Sequence, residues 1–152
     1  MKELVSLFME RNDVPKYIFG RNQYAAEIVK RINLTGVIDE FTQEKDFKGI
    51  PIVHDLSKVK EDAIVLNLIF GIRPVSIQKR IEDAGYRCID FFSFSKYSGI
   101  DLPISFWEGF KESYSFNKKS YDILAERFAD EESKDTYSRL MNLRLNLDLF
   151  LM

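Results

Sequence analysis

The sequence is poor in the two residues that most often crosslink or stabilise small proteins. It contains one cysteine, Cys88, and one histidine, His54, among 152 residues. A single cysteine cannot form a disulfide bond within the chain, and one cysteine with one histidine cannot supply the ligands of a structural zinc site. These absences exclude disulfide-stabilised and zinc-stabilised folds, so the core has to form by hydrophobic burial.

Long hydrophobic runs are also missing. A membrane-spanning helix needs about 18 or more consecutive apolar residues, whereas the longest apolar run, residues 63–72, is interrupted by Asn67 and Gly71. The N-terminal segment has acidic residues on both sides of its apolar stretch and no small-residue cleavage site, which is not the pattern of a signal peptide. We therefore expect a soluble, cytoplasmic protein without a membrane span.

Neither sign of charge is in excess. The chain has 22 lysines and arginines against 24 acidic residues, a formal net charge of -2. Nucleic-acid binders carry clustered basic residues that neutralise phosphates, so the composition does not favour a nucleic-acid partner. The hydrophobic fraction of 45% and the charged fraction of 30% are typical of an ordinary soluble domain.

The first 93 residues alternate between strand-like and helix-like patterns. The strongest strand, residues 63–69, is apolar on both faces, as a central strand of a parallel sheet should be. Its neighbours alternate with segments whose apolar residues recur at helical spacing. This alternation predicts an α/β domain with a small, doubly wound, mainly parallel sheet of the Rossmann-like type. The predicted strands are residues 16–19, 36–39, 50–53, 63–69 and 87–92, and the predicted helices are residues 2–12, 25–32 and 74–84.

Residues 94–152 predict a second domain, an aromatic-rich helical extension. Residues 105–108 match a helix capping box, and Asp130, Glu131 and Glu132 suit the first turn of a further helix. Leucines at alternate positions from Leu143 to Leu149 fit a strand as well as a helix, and continuity with the preceding helix favours a helix. The many aromatic rings of residues 91–128 favour packing on the first domain, with a partner surface, such as that of a homodimer, as the alternative.

The turn between the first strand and the next helix is the main candidate binding motif. It lies where dinucleotide-binding proteins carry the G-x-G-x-x-G/A loop, and here the motif positions are Gly20, Asn22 and Ala25. Gly20 permits the tight turn and Ala25 permits close packing of helix and strand. The side chain of Asn22, which replaces the second glycine, occupies the place where a pyrophosphate would approach. A working pocket and an altered one are both compatible with this motif.

Further polar residues extend this candidate site. Arg21 could contact a phosphate, and a helix N-terminus favours an anion. Asp39 ends the second strand about 20 residues after Gly20, where an acidic residue would contact a ribose hydroxyl. Asn67 and Gly71 lie at the end of the central strand beside the same crevice. The alternative interpretation is that these residues only build a turn and hydrogen-bonded strand ends.

No arrangement of residues predicts a catalytic or metal site. His54 precedes Asp55, but no serine or cysteine motif accompanies it, so a loop histidine beside a helix cap is favoured over an acid–base group. Cys88 lies within a strand and is interpreted as a buried structural thiol. Glu131 and Glu132 are adjacent, and adjacent helical positions point about 100° apart, so they do not form a carboxylate pair.

Two stretches of the chain together resemble the N-terminal region of FkbM-family methyltransferases. The first covers residues 16–91 and contains YIFGRN (17–22), GVID (36–39), FKGIPI (47–52) and AIVL (63–66). Similar accessory domains precede some sugar acyltransferases. The second runs from Tyr121 through Asp130 and Ser133 into YSRLMNLRL (137–145). It is similar to the L-x-D-E-x-S linker helix that leads into the FkbM catalytic domain.

The resemblance implies a non-catalytic region that precedes a methyltransferase domain beginning after Met152. The seven glycines never occur as G-x-G, so the sequence lacks the acid-x-G-x-G loop with which methyltransferases bind S-adenosylmethionine. That cofactor would therefore belong to the downstream domain, and no catalytic residue is expected in this chain. The region would recognise a nucleotide-linked or sugar substrate or mediate assembly.

Three other hypotheses remain open. The chain is alternatively a self-sufficient nucleotide or nucleotide-sugar binding module with its pocket at the crevice. It is alternatively a dimerisation unit that uses the aromatic segment and the leucine-rich end. An NAD-dependent oxidoreductase is the least favoured, because Asn22 weakens dinucleotide binding and no proton-transfer group accompanies it.

Overall fold

Short apolar runs form the strands of one six-stranded sheet in the computed structural model, which describes residues 1–104 and 108–149. The strand order is β3-β4-β2-β1-β5-β6. All neighbouring strands are parallel except β3 and β4, which are antiparallel. The strands are β1 (Lys16–Phe19), β2 (Gly36–Ile38), β3 (Asp46–Phe47), β4 (Ile50–Val53), β5 (Ile64–Asn67) and β6 (Arg87–Asp90).

Helices connect or follow most of these strands. A single 3₁₀ turn, Leu56–Lys58, lies in the connection between β4 and β5. The helices that accompany the sheet are α1 (Lys2–Glu10), α2 (Gln23–Val29), α3 (Pro74–Asp83) and α4 (Phe91–Tyr97). The predicted α/β fold class, with a mostly parallel sheet, is confirmed.

The aromatic run after β6 differs from the sequence prediction. A strand was predicted through residue 92, but β6 ends at Asp90 and residues 91–97 form α4. The Asp90 carboxylate accepts a hydrogen bond of 2.9 Å from the backbone N–H of Ser93. A side-chain acceptor at this position caps the first turn of a helix, so the strand gives way to α4. The sequence also missed β3, which lies within residues 41–49, predicted as a loop.

The chain divides into two compact units, Met1–Ile100 and Asp101–Met152. The boundary predicted after residue 93 falls within α4. The second unit contains α5 (Phe110–Phe116), α6 (Lys118–Glu126) and α7 (Glu131–Asn146). Three residues of the predicted capping box, 105–107, lie outside the described residues. In the described chain, no helix has the length and apolar character needed to cross a membrane.

The end of α7 corrects a second prediction. The leucine-rich segment was expected to stay helical through Leu149, but α7 ends at Asn146 because Leu147 has a left-handed backbone with φ 52°. At the other end of α7, the carboxylate of Asp130 accepts hydrogen bonds of 2.7 Å from the Ser133 N–H and 2.8 Å from the Ser133 hydroxyl. The helix begins at the acidic turn that the sequence indicated.

The core of the first unit lies against both faces of the sheet. One face packs with α3 and the 3₁₀ turn through a continuous apolar cluster. The N-terminal helix α1 contributes the fully buried ring of Phe8, which meets Phe94 of α4 edge to face at a centroid distance of 5.9 Å. The cluster on the α3 face consists of Tyr17, Phe19, Ile38, Leu56, Val59, Ala63, Val65, Ile81 and Cys88.

Replacing Phe8 with alanine is expected to lower the free energy of unfolding by about 3–5 kcal/mol, because it removes a buried ring and leaves a cavity. The matched control is Phe41→Ala, since the Phe41 side chain is 95% exposed. That change is expected to alter stability by less than about 0.5 kcal/mol. Urea denaturation measures both values, and equal effects of the two substitutions would contradict this packing of α1.

Candidate functional site

The carboxyl ends of β1, β2 and β5 lie side by side at one edge of the sheet. Phe19 at the end of β1 is in register with Ile38 of β2 on one side and with Asn67 of β5 on the other. The chain leaves β1 towards β2 and leaves β5 towards β6, so the strand order reverses between β1 and β5. In open α/β sheets, ligands bind at such a reversal. We call the position between the carboxyl ends of β1 and β5 the crevice.

Gly20 forms the turn that leaves β1. Its φ is +96°, a backbone conformation that glycine adopts without the steric cost other residues have. A Cβ atom on Gly20 would lie 2.6 Å from Cδ1 of Ile69, in the loop after β5. The positive φ favours glycine at this position, and the Ile69 side chain packs directly against the turn.

Asn22 caps α2 with its side chain. Its Oδ1 atom accepts hydrogen bonds of 3.0 Å from the backbone N–H groups of Tyr24 and Ala25. Its Nδ2 atom donates a hydrogen bond of 3.0 Å to the carbonyl of Leu68, which follows β5. The amide therefore uses the N–H groups that a phosphate would use at a helix N-terminus, and it joins the two sides of the crevice.

Arg21 and Asp39 are brought together, as the sequence suggested, but they bind each other. Arg21 Nε donates to Asp39 Oδ2 at 2.6 Å, and Arg21 Nη1 donates to Glu44 Oε2 at 2.6 Å. The side chains of Arg21 and Asp39 are 21% and 16% exposed. The hydrogen bonds to these two carboxylates raise the pKa of Arg21. A phosphate or a ribose hydroxyl that entered here would compete with this ion pair.

Asn67 and Gly71 occupy different environments. Asn67 is buried, donates to the carbonyl of Pro74 at 3.3 Å and accepts from the N–H of Ile69 at 2.9 Å. It therefore braces the loop that leads from β5 to α3. Gly71 is exposed, and no atom lies within 4 Å of the position that a Cβ would take. The structure places Asn67 in the wall of the crevice and leaves Gly71 in open surroundings.

The remaining chemically reactive residues have local structural partners. His54 Nδ1 lies 3.2 Å from the carbonyl oxygen of Asp39, and Asp55 accepts a hydrogen bond of 2.8 Å from the N–H of Ser57. Cys88 is buried in β6, and this burial raises the pKa of its thiol well above the usual range. Glu131 pairs with Lys134 at 2.7 Å. Among residues 1–104 and 108–149, no three His, Cys, Asp or Glu side chains group as metal ligands.

Sequence reasoning missed two buried polar residues, Gln78 on α3 and Asp90 at the end of β6. Asp90 is the register partner of Asn67. The available signal was the acidic residue that follows the apolar pair Cys88 and Ile89, but the predicted strand ran past it. Both residues are almost fully buried.

Replacing Asn22 with alanine is expected to lower the free energy of unfolding by about 0.5–2 kcal/mol, because α2 loses its side-chain cap. The control is Asn12→Ala at an exposed asparagine, for which a change below about 0.5 kcal/mol is expected. Urea denaturation monitored by circular dichroism gives both values. A negligible loss for Asn22→Ala would contradict the capping role.

Cys88 is expected to resist thiol reagents in the folded protein at pH 8, because burial blocks access and disfavours the reactive thiolate. In denaturing urea the same thiol is expected to react fully within minutes. Absorbance of the product of Ellman's reagent measures both states. Rapid stoichiometric labelling without urea would contradict a buried thiol.

Comparison with protein-family models gave no match, and comparison with characterised proteins gave none either. Among solved structures, the chain is similar to the crystal structure of the methyltransferase FkbM from Methylobacillus flagellatus KT. The TM-score is 0.59 and the sequence identity is 17%. The match covers 99% of this chain and 43% of that chain, so this chain spans less than half the length of the methyltransferase.

The residues at the crevice do not fit S-adenosylmethionine, the methyl donor that methyltransferases use. Methyltransferases approach that cofactor with bare glycine backbone, whereas Gly20 is the sole glycine of the turn and lies against Ile69. The amide of Asn22 occupies the start of α2. What the likeness does show is the fold, an α/β architecture with a mostly parallel sheet.

Proposed function

We propose that this chain is an accessory α/β module of an FkbM-like O-methyltransferase whose methyl-donor domain lies beyond residue 152. The observation that carries the proposal is the likeness to a methyltransferase over 99% of this chain and 43% of that protein. A match to 43% of that chain leaves more than half of the enzyme's length for a separate methyl-donor domain. The module would recognise a nucleotide-linked or sugar substrate, or would mediate assembly.

The contacts at the crevice support a role other than catalysis. A catalytic group has to exchange its hydrogen-bond partners with the reacting atoms. Asn22 instead uses its amide on α2 and on Leu68, and Arg21 uses its guanidinium on Asp39 and Glu44. These side chains hold the loops in place, which is the behaviour expected of a scaffold.

A second function, a stand-alone nucleotide or nucleotide-sugar binding module, is favoured by one observation. Arg21 and Asp39 meet beside the carboxyl ends of β1 and β2 and remain partly exposed. A guanidinium suits a diphosphate and a carboxylate suits sugar hydroxyls. A ligand with both groups could take Arg21 from Glu44, whose side chain is largely exposed.

A thermal-shift experiment tests whether the crevice binds a nucleotide-sugar and whether the chain binds the methyl donor. S-adenosylmethionine is expected to leave the melting temperature unchanged. If the crevice binds nucleotide-sugars, UDP-glucose at about 100 times its dissociation constant would add about 2.7 kcal/mol. At about 2–4 °C per kcal/mol, the melting temperature would rise by about 5–11 °C.

Two arginine variants test whether a ligand that raises the melting temperature binds at the crevice. Arg21→Ala is expected to abolish the shift, whereas Arg31→Ala, at an exposed position after α2, is expected to preserve it. Saturable stabilisation by S-adenosylmethionine would refute the accessory role. A nucleotide-sugar shift that survives Arg21→Ala would place the ligand away from the crevice.

The gene provides an independent test of the accessory role. The codons after Met152 are expected to encode a second α/β domain with an acid-x-G-x-G loop after its first strand. An open reading frame that lacks such a domain would remove the basis for the methyltransferase assignment.

A further inference from the structure

Two oxygen atoms beneath α3 are buried without a hydrogen-bond partner among the described residues. They are Oδ2 of Asp90 and Oε1 of Gln78. The two residues are 1% and 2% exposed. Their other polar atoms are paired: Asp90 Oδ1 accepts from the N–H of Ser93 at 2.9 Å, and Gln78 Nε2 donates to Glu82 Oε1 at 2.8 Å. Buried polar atoms in native proteins nearly always have a partner.

Both residues are buried in the layer between α3 and the sheet, Gln78 on the helix and Asp90 at the end of β6. Asn67 of β5 is the register partner of Asp90, and its side chain reaches α3 by donating to the carbonyl of Pro74. Gln78 follows Pro74 by one helical turn, so the two lie on the same face of α3. Side chains alternate along a strand, so Asp90 points to the same side as Cys88, which packs with the α3 residue Ile81.

Both unpaired oxygen atoms need a hydrogen-bond donor. An ionised carboxylate and an amide oxygen both accept hydrogen bonds, so neither can satisfy the other. A water molecule has two O–H groups, one for each oxygen. Its own oxygen can accept from the second N–H of the Asn67 amide, which gives the two to four polar partners that buried waters have.

We propose that a single water molecule is bound beneath α3, where it donates to Asp90 Oδ2 and to Gln78 Oε1. This water links β6 to α3. Asn67 also accepts from the N–H of Ile69, so the same network holds the loop whose isoleucine packs against Gly20. The site is therefore a buried anchor for the rim of the crevice, and it is independent of the proposed function.

The test is direct observation of the water in the unmodified protein. A crystal structure at about 1.5 Å or better is expected to show a peak within about 2.6–3.2 Å of both oxygen atoms. In solution, NMR is expected to show cross-relaxation between a long-lived water and the Gln78 side-chain amide. An absent peak together with no water contact to this amide would overturn the proposal.

Other occupants would also overturn it. A direct contact between Asp90 Oδ2 and the Gln78 amide would mean that the amide donates to the carboxylate in the exchanged orientation, with no water between them. A melting temperature that differs between potassium and sodium buffers of equal ionic strength would mean a bound cation.

A pair of substitutions tests the role of the water. Gln78→Met keeps the side-chain length but removes the Oε1 acceptor and the Nε2 donor to Glu82. It is expected to lower the melting temperature by several degrees and to weaken the crystallographic water peak beside Asp90 Oδ2. The control, Gln43→Met at an exposed position, is expected to change neither. A water peak beside Asp90 Oδ2 that is as strong in a crystal of Gln78→Met as in the unmodified protein would overturn the bridging arrangement.

Discussion

The side-chain amide of Asn22 lies between the start of α2 and the loop after β5, and it is hydrogen-bonded to both. The geometry of the crevice depends on this contact. The amide satisfies the free N–H groups of α2, so the helix does not need an anion there. It also fixes Leu68, and with it the position of the Ile69 side chain against Gly20. One residue thereby converts a turn typical of phosphate binding into a brace between two loops.

Much of the first unit follows from the sequence, because its central strands are buried on both faces and therefore appear as uninterrupted apolar runs. The errors have physical causes. Residues 91–92 are as apolar as a strand, and their helical state depends on the cap that Asp90 provides. The two-residue strand β3 depends on its pairing with β4, which no local pattern reveals. The end of α7 is set by the left-handed backbone of Leu147, a conformation that leucine rarely adopts.

The sequence indicates where the candidate residues lie in the fold, but not which hydrogen bonds and ion pairs they form. Parallel strands bring Gly20, Asp39 and Asn67 to one edge, and the sequence indicates each of them at a strand end. The pairing of Arg21 with Asp39 and Glu44 depends on how the loops after β1 and β2 approach each other, which spacing does not determine. The burial of Gln78 could not be predicted for a related reason. A glutamine in a charged helix is usually exposed, whereas this one is buried against the sheet.

The hairpin of β3 and β4 forms one edge of the sheet. A parallel sheet that ended at β4 would present a row of open backbone groups on which strands of other molecules could assemble. The short strand β3 already pairs with the edge of β4. Asp46 lies opposite Pro51, and Phe47 lies opposite Ile50. Strand β3 offers only two residues for any incoming strand to follow, and Pro51 has no N–H to donate. This margin of the sheet is thus protected against the intermolecular strand addition that begins many fibrils.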